Sequence, residues 1–105
     1  MNEVQVAWSP FALRSLEEIR FYILHEAKSE SPATRFVEKI FDHTDQLSFF
    51  PESGQKELSM IARGINCRYI IEGNYKIIYE YALSPELIII LDIFNTSQDP
   101  IKLNK

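Results

Sequence analysis

A single cysteine, Cys67, is all that this 105-residue sequence contains. No internal disulfide can form, and no cysteine-based zinc cluster can be assembled. The thiol reads as a small apolar packing residue, since no histidine lies near it in sequence to activate it. Long apolar runs are missing too. The longest, Leu87 to Phe94, is interrupted by Asp92 and falls far short of the ~20 residues that span a bilayer. The opening "MNEVQVAWSP" carries an acid and lacks the basic start and apolar core of a signal peptide. These absences lead to the expectation of a soluble, cytoplasmic protein with no membrane contact. An excess of basic charge is also absent. Eleven Lys and Arg stand against fifteen Asp and Glu, a net charge of −4, which opposes broad electrostatic attraction to nucleic acid. The composition is 46% apolar, 25% charged and 12% aromatic, without repeats or low-complexity tracts, so disorder is excluded on composition. One domain over 1–105 is the expectation, because the length leaves no room for a second core.

What is present is ordered by period. "EVQVAW" alternates and reads as a short strand. In "SPFALRSLEEIRFYILHEAK", Ser9 is a natural N-cap and Pro10 sits where a helix does not miss its N–H. Ala12, Leu16, Ile19 and Ile23 then form an apolar helical stripe. "KSESPATRF" repeats the device: Ser31 is expected to cap a second helix that Pro32 begins, with a stripe of Ala33, Phe36, Val37, Ile40, Thr44 and Leu47. The short linker folds the two helices into an antiparallel hairpin. Pro51 and Gly54 in "FFPESG" end it.

After Gly54 the period becomes strand-like. "INCRYIIE" and "YKIIYEYA" flank a "GN" turn, in which Asn74 is expected to take the left-handed conformation. "LSPE" makes the next turn before "LIIILDIF", a strand apolar on both faces and so expected mid-sheet. "QKELSMIARG" is read as loop with room for a short strand. The fold class is α+β, β-α-α-β-β-β: a helical hairpin packed on one face of an antiparallel meander sheet, with the first strand returning to an edge. The helices are expected to take Cys67, Tyr69 and Ile71 with Ile77 and Tyr79, leaving Arg68 and Lys76 on the open face. Trp8 is expected to anchor the first strand against the helices.

Four segments in register, "VAWSPFALRSLEEIRFYI", "FFPESG", "YKIIYEY" and "IIILDIFNTSQDP", resemble the RelE/ParE toxin superfamily of type II toxin–antitoxin systems. The long helical hairpin and the P-x-x-G after it bring the chain closer to the ParE-like branch. The resemblance implies the sandwich reached above, and a toxin silenced by a cognate antitoxin that wraps around it. Such pairs are associated with plasmid stabilization. It implies two modes of action. ParE-type members poison DNA gyrase by protein–protein contact; RelE-type members cut mRNA on the ribosome without metal, using basic residues. Neither mode implies a cofactor or a metal. A homodimer is left open.

Metal-free RNA cleavage needs a base, an acid and cations on the developing phosphorane. By resemblance, Lys76 stands where RelE-type toxins carry a catalytic arginine, and Ser97 where they carry a second. Serine is neutral and cannot clamp a phosphate bidentately, which disfavours cleavage. For a ribonuclease the candidate cations are Arg63, Arg68 and Lys76. As target-binding candidates the residues are Arg68, Lys76, Asn95, Ser97 and Gln98. The plainer account of "NTSQDP" is strand termination, with Asn, Thr and Ser bonding to their own backbone. Arg68 is otherwise expected to pair with Glu80 across the ladder. Tyr69, Tyr75, Tyr79 and Tyr81 can stack on bases, but packing is favoured for Tyr69 and Tyr79. His25 and His43 are expected at the surface. For the antitoxin a groove between helical hairpin and sheet edge is expected, with Leu13, Phe21, Leu24 and Phe41 as docking residues.

Overall fold

Ser9 ends one element and starts the next. In the computed structural model, which describes residues 3–58 and 66–97, its N–H donates to Ile90 O (3.0 Å), closing the last bond of strand β1 (Val6–Trp8). Its hydroxyl oxygen accepts from Ala12 N (3.0 Å), capping helix α1 (Pro10–Ala27). The cap is the predicted one, with Pro10 at the first helical position. α1 stops at Lys28, whose left-handed backbone (φ 54°) turns the chain, and its N–H bonds back to Leu24 O.

Helix α2 (Glu30–Asp45) begins earlier than predicted. Ser29 is the N-cap rather than Ser31, and it makes no side-chain bond. Pro32 falls inside the first turn, where the N–H has no intrahelical acceptor to lose. The predicted stripe is buried at Ala33, Ile40 and Thr44, and at Leu47 in the single 3-10 turn that follows.

Among the described residues the sheet has five strands, the others being β2 (Gln55–Lys56), β3 (Cys67–Glu72), β4 (Tyr75–Leu83) and β5 (Glu86–Asn95). Their order is β1-β5-β4-β3-β2, with β1 parallel to β5 and the rest antiparallel. The meander and the returning edge strand are as predicted, and β2 is the short extra strand. Between β1 and β4, β5 buries Ile88, Ile90 and Ile93 in one cluster with Leu16 and Ile40 of the helices. Trp8 meets Phe41 of α2 edge-on at 5.2 Å, so it anchors β1 to the hairpin.

The facing of β3 is the reverse of expectation. Across the two-residue Gly73-Asn74 turn, Glu72 pairs with Tyr75, hence Ile70 with Ile77 and Arg68 with Tyr79. Directly opposed residues share a face, so Ile70 joins Ile77 and Tyr79 under the helices and takes Arg68 to that side. Cys67, Tyr69 and Ile71 lie on the other side with Lys76. Cys67, not Arg68, stands opposite Glu80. The turn itself places positive φ on Gly73 (59°) rather than on Asn74, as a II′ turn does. His43 is half-buried, not a surface residue: its Nδ1 lies 3.1 Å from Glu72 Oε1, tying α2 to the end of β3.

The loop before β2 is held by a buried knot. Tyr79 Oη donates to Pro51 O (2.7 Å) and accepts from Gly54 N–H (3.0 Å). Arg68 Nη1 donates to Gly54 O (2.8 Å) and Glu52 O (3.1 Å), and its Nη2 lies 3.6 Å from the Glu52 carboxylate. Gly54 is required by close approach: a Cβ there would stand 2.6 Å from Tyr79 Oη and 2.7 Å from Tyr69 O.

Candidate functional site

β1 is three residues long and β5 is ten, so they pair only at Ile88–Ile90. Ser9 ends the pairing, and its hydroxyl donates to Leu91 O (3.3 Å). From there α1 leaves the track β1 would have followed and lies over the remainder of β5. At the same level β5 bulges: Leu91 has no counterpart opposite the Ile78–Tyr79 step of β4. The result is a cleft of about 410 Å³ between α1 and the last four residues of β5. Ser15, Glu18, Ile19 and Tyr22 form the helical wall; Asp92, Ile93, Phe94 and Asn95 form the strand wall, with Tyr75 and Ser97 at the end.

Its polar groups are partly spent on local structure. Asp92 Oδ1 accepts from Ile93 N–H (2.7 Å), which blunts one donor of the bare edge. Asn95 Oδ1 accepts from Ser97 N–H (2.9 Å) and from the Ser97 hydroxyl (2.7 Å). Thr96 donates twice to Asn74 O, from its N–H (2.7 Å) and hydroxyl (2.9 Å). The neutral cluster therefore terminates the strand, as its composition suggested, while Asn95 and Ser97 also line the cleft. Burial pushes the Tyr75 hydroxyl up, partly countered by its bond to Asn95; its ring is tilted against Phe36 at 4.8 Å. Among the described residues neither Glu18 nor Asp92 has a cationic partner within salt-bridge distance.

The other predicted residues are dispersed. Lys76 lies on the open face, as expected, with Nζ 2.6 Å from Glu57 Oε1 and 4.1 Å above the Tyr69 ring. Its side chain is 24% exposed and that of Glu57 11%, so the pair is largely shielded. Arg68 lies on the opposite side, clamped to the loop at 52–54. Arg63 and Gln98 fall outside the described residues. Of the docking candidates, Leu13 and Phe21 are exposed, and Phe21 meets the His25 ring at 4.4 Å. Leu24 is half-buried. Phe41 packs on Trp8 and the core. None of the four lines the cleft, although the cleft itself occupies the predicted place between helix and sheet edge. Glu18 and Tyr22 escaped the sequence reading, which named Tyr75 only as a ring able to stack on bases. The available signal was Asp92, an acid in an otherwise apolar run.

No helix among the described residues is long and apolar enough to cross a membrane. Among curated proteins none matches the chain. A family model described as "ParE toxin of type II toxin-antitoxin system, parDE" matches residues 6–100. That span runs from the first residue of β1 to beyond the end of β5, and takes in the two helices, all five strands and both walls of the cleft. The chain belongs to the ParE toxin family and is by that membership the toxin component of a type II toxin–antitoxin pair.

Proposed function

We propose that this toxin acts by protein–protein contact, with DNA gyrase as its target in the manner of the ParE branch, and that a cognate antitoxin holds it inactive. The observation that carries this reading is the state of Lys76. Cleavage of RNA without metal relies on cations free to meet charge as it develops on the phosphorane. Lys76 already has a shielded carboxylate at 2.6 Å and an aromatic face beneath it, so serving a phosphate means first breaking that pair. Arg68 is engaged by two backbone carbonyls and Glu52. Ser97 has its amide and hydroxyl turned to Asn95. Among the described residues, the cations expected of a ribonuclease, Arg68 and Lys76, are thus occupied, and Ser97 stands as a neutral group where a second arginine is expected.

Inducing the chain alone should arrest growth with broken DNA and intact transcripts, and co-expression of the protein encoded beside it should relieve the arrest. Harmless expression would overturn toxicity and leave a binding module without poison. Cleaved transcripts in a translation extract, abolished by Lys76→Ala, would replace the proposal with ribosome-dependent RNA cleavage.

A further inference from the structure

Tyr75 also lines a second cleft, where α2 passes the turn between β3 and β4. It encloses about 360 Å³, the size of a small-ligand site. Pro32, Arg35, Phe36 and Lys39 form one wall, at the three- and four-residue spacings that share a helix face. The turn from Glu72 to Tyr75 forms the other. Arg35 and Lys39 are exposed, and neither lies within ion-pair distance of a carboxylate among the described residues. The acid inside the cleft is Glu72, and it is engaged by His43 at 3.1 Å. Beyond Lys39, Asp42 lines the adjoining hollow and makes no ion pair either.

The turn adds two donors. Gly73 and Asn74 are exposed, and neither N–H donates to an acceptor among the described residues. Successive amides of a turn make a concavity for anions. The remaining surface is aromatic: the half-buried rings of Phe36 and Tyr75 meet at 4.8 Å, tilted by 57°. We infer that this cleft binds a nucleotide, its phosphate between Arg35, Lys39 and the amides of Gly73 and Asn74, its base against Phe36 and Tyr75. The guanidinium fork suits two phosphate oxygens and the ammonium adds a point charge. A bare phosphate would leave the rings uncovered, and a nucleoside would leave both cations unused. The net charge of −4 opposes a long nucleic-acid chain, whereas a small ligand is governed by the charges beside it. The inference goes beyond the gyrase reading and does not depend on it.

The test titrates the full chain with AMP, adenosine and inorganic phosphate while the backbone amides of Gly73 and Asn74 are followed by NMR. AMP should move both amides and bind roughly tenfold more tightly than phosphate or adenosine alone. Arg35→Gln and Lys39→Gln change exposed side chains and leave the core untouched. Each should weaken AMP roughly tenfold and lessen the dependence on salt. Arg14→Gln removes an exposed cation of α1 outside the cleft and should change nothing. Amides that stay in place up to about 5 mM AMP overturn the inference. Phosphate binding as tightly as AMP assigns the cleft to a bare anion, and adenosine binding as tightly shows the cations idle; either result overturns it. An equal loss in Arg14→Gln reduces the binding to diffuse attraction and also overturns it. Growth arrest and DNA breakage are read separately, so failure here leaves the proposed target standing.

Discussion

Tyr79→Phe removes one oxygen and breaks two bonds in a place water barely reaches. Tyr79 is fully buried and Gly54 is buried beside it. The hydroxyl both accepts from Gly54 N–H and donates to Pro51 O. Stranding one buried backbone group costs about 1–3 kcal/mol. Pro51 is only partly buried, so its carbonyl can recruit water, and the loss should be about 2 kcal/mol. For a domain of this size that lowers Tm by roughly 10 °C. Gly54→Ala attacks the same knot from the other side. Its Cβ would stand 2.6 Å from Tyr79 Oη and 2.7 Å from Tyr69 O, and overpacking of this kind costs about 1–3 kcal/mol. In the double variant the oxygen contact is gone but the Tyr69 carbonyl remains. The second substitution should therefore cost less than it does alone, without becoming free. Urea denaturation followed by the fluorescence of Trp8, the only tryptophan, measures all four corners of the cycle. Burial also pushes the Tyr79 hydroxyl up. Between the unfolded value, about 10, and the folded one the native state holds the extra proton, so stability falls as pH rises. Tyr79→Phe should lessen that alkaline loss. A Tyr79→Phe chain within 0.5 kcal/mol of the parent, or strictly additive costs in the cycle, would refute the reasoning.

Burial, then the nearby carboxylates of Glu80 and Glu57, push the Cys67 thiol up. At pH 8 a disulfide reagent should therefore modify the native chain at least about tenfold more slowly than the urea-unfolded chain; equal rates would contradict its placement. Lys28 sits at φ 54° without being glycine. Lys28→Gly should stabilise the helical hairpin by about 0.5–1 kcal/mol, and a loss in the urea midpoint would show that the side chain holds the turn.

Much of this protein was legible from period and punctuation alone. Ser9-Pro10 marks the start of α1, because a cap hydroxyl and a missing N–H act within one turn. The stripes on both helices follow from a repeat that needs no knowledge of the partner surface. The hairpins follow from Gly73-Asn74 and Ser84-Pro85, and the greasy run at Leu87 announced an interior strand. Composition misplaced the facing of β3: Cys67, Tyr69 and Ile71 are the more apolar set of "CRYIIE", yet Arg68, Ile70 and Glu72 share the face of Ile77 and Tyr79. Counting pairs outward from the Gly73-Asn74 turn does bring Ile70 to Ile77, so that part was present as register rather than as hydropathy. Other features belong to tertiary structure only. Glu57 meets Lys76 and Tyr79 meets Gly54 at sequence separations of 19 and 25, and no local pattern encodes such contacts. The open cleft depends on where β1 stops relative to β5 and on the direction in which Ser9 sends α1. Local sequence sets torsions and faces; which surfaces then meet, and which backbone edge is left without a neighbour, is decided when the elements pack.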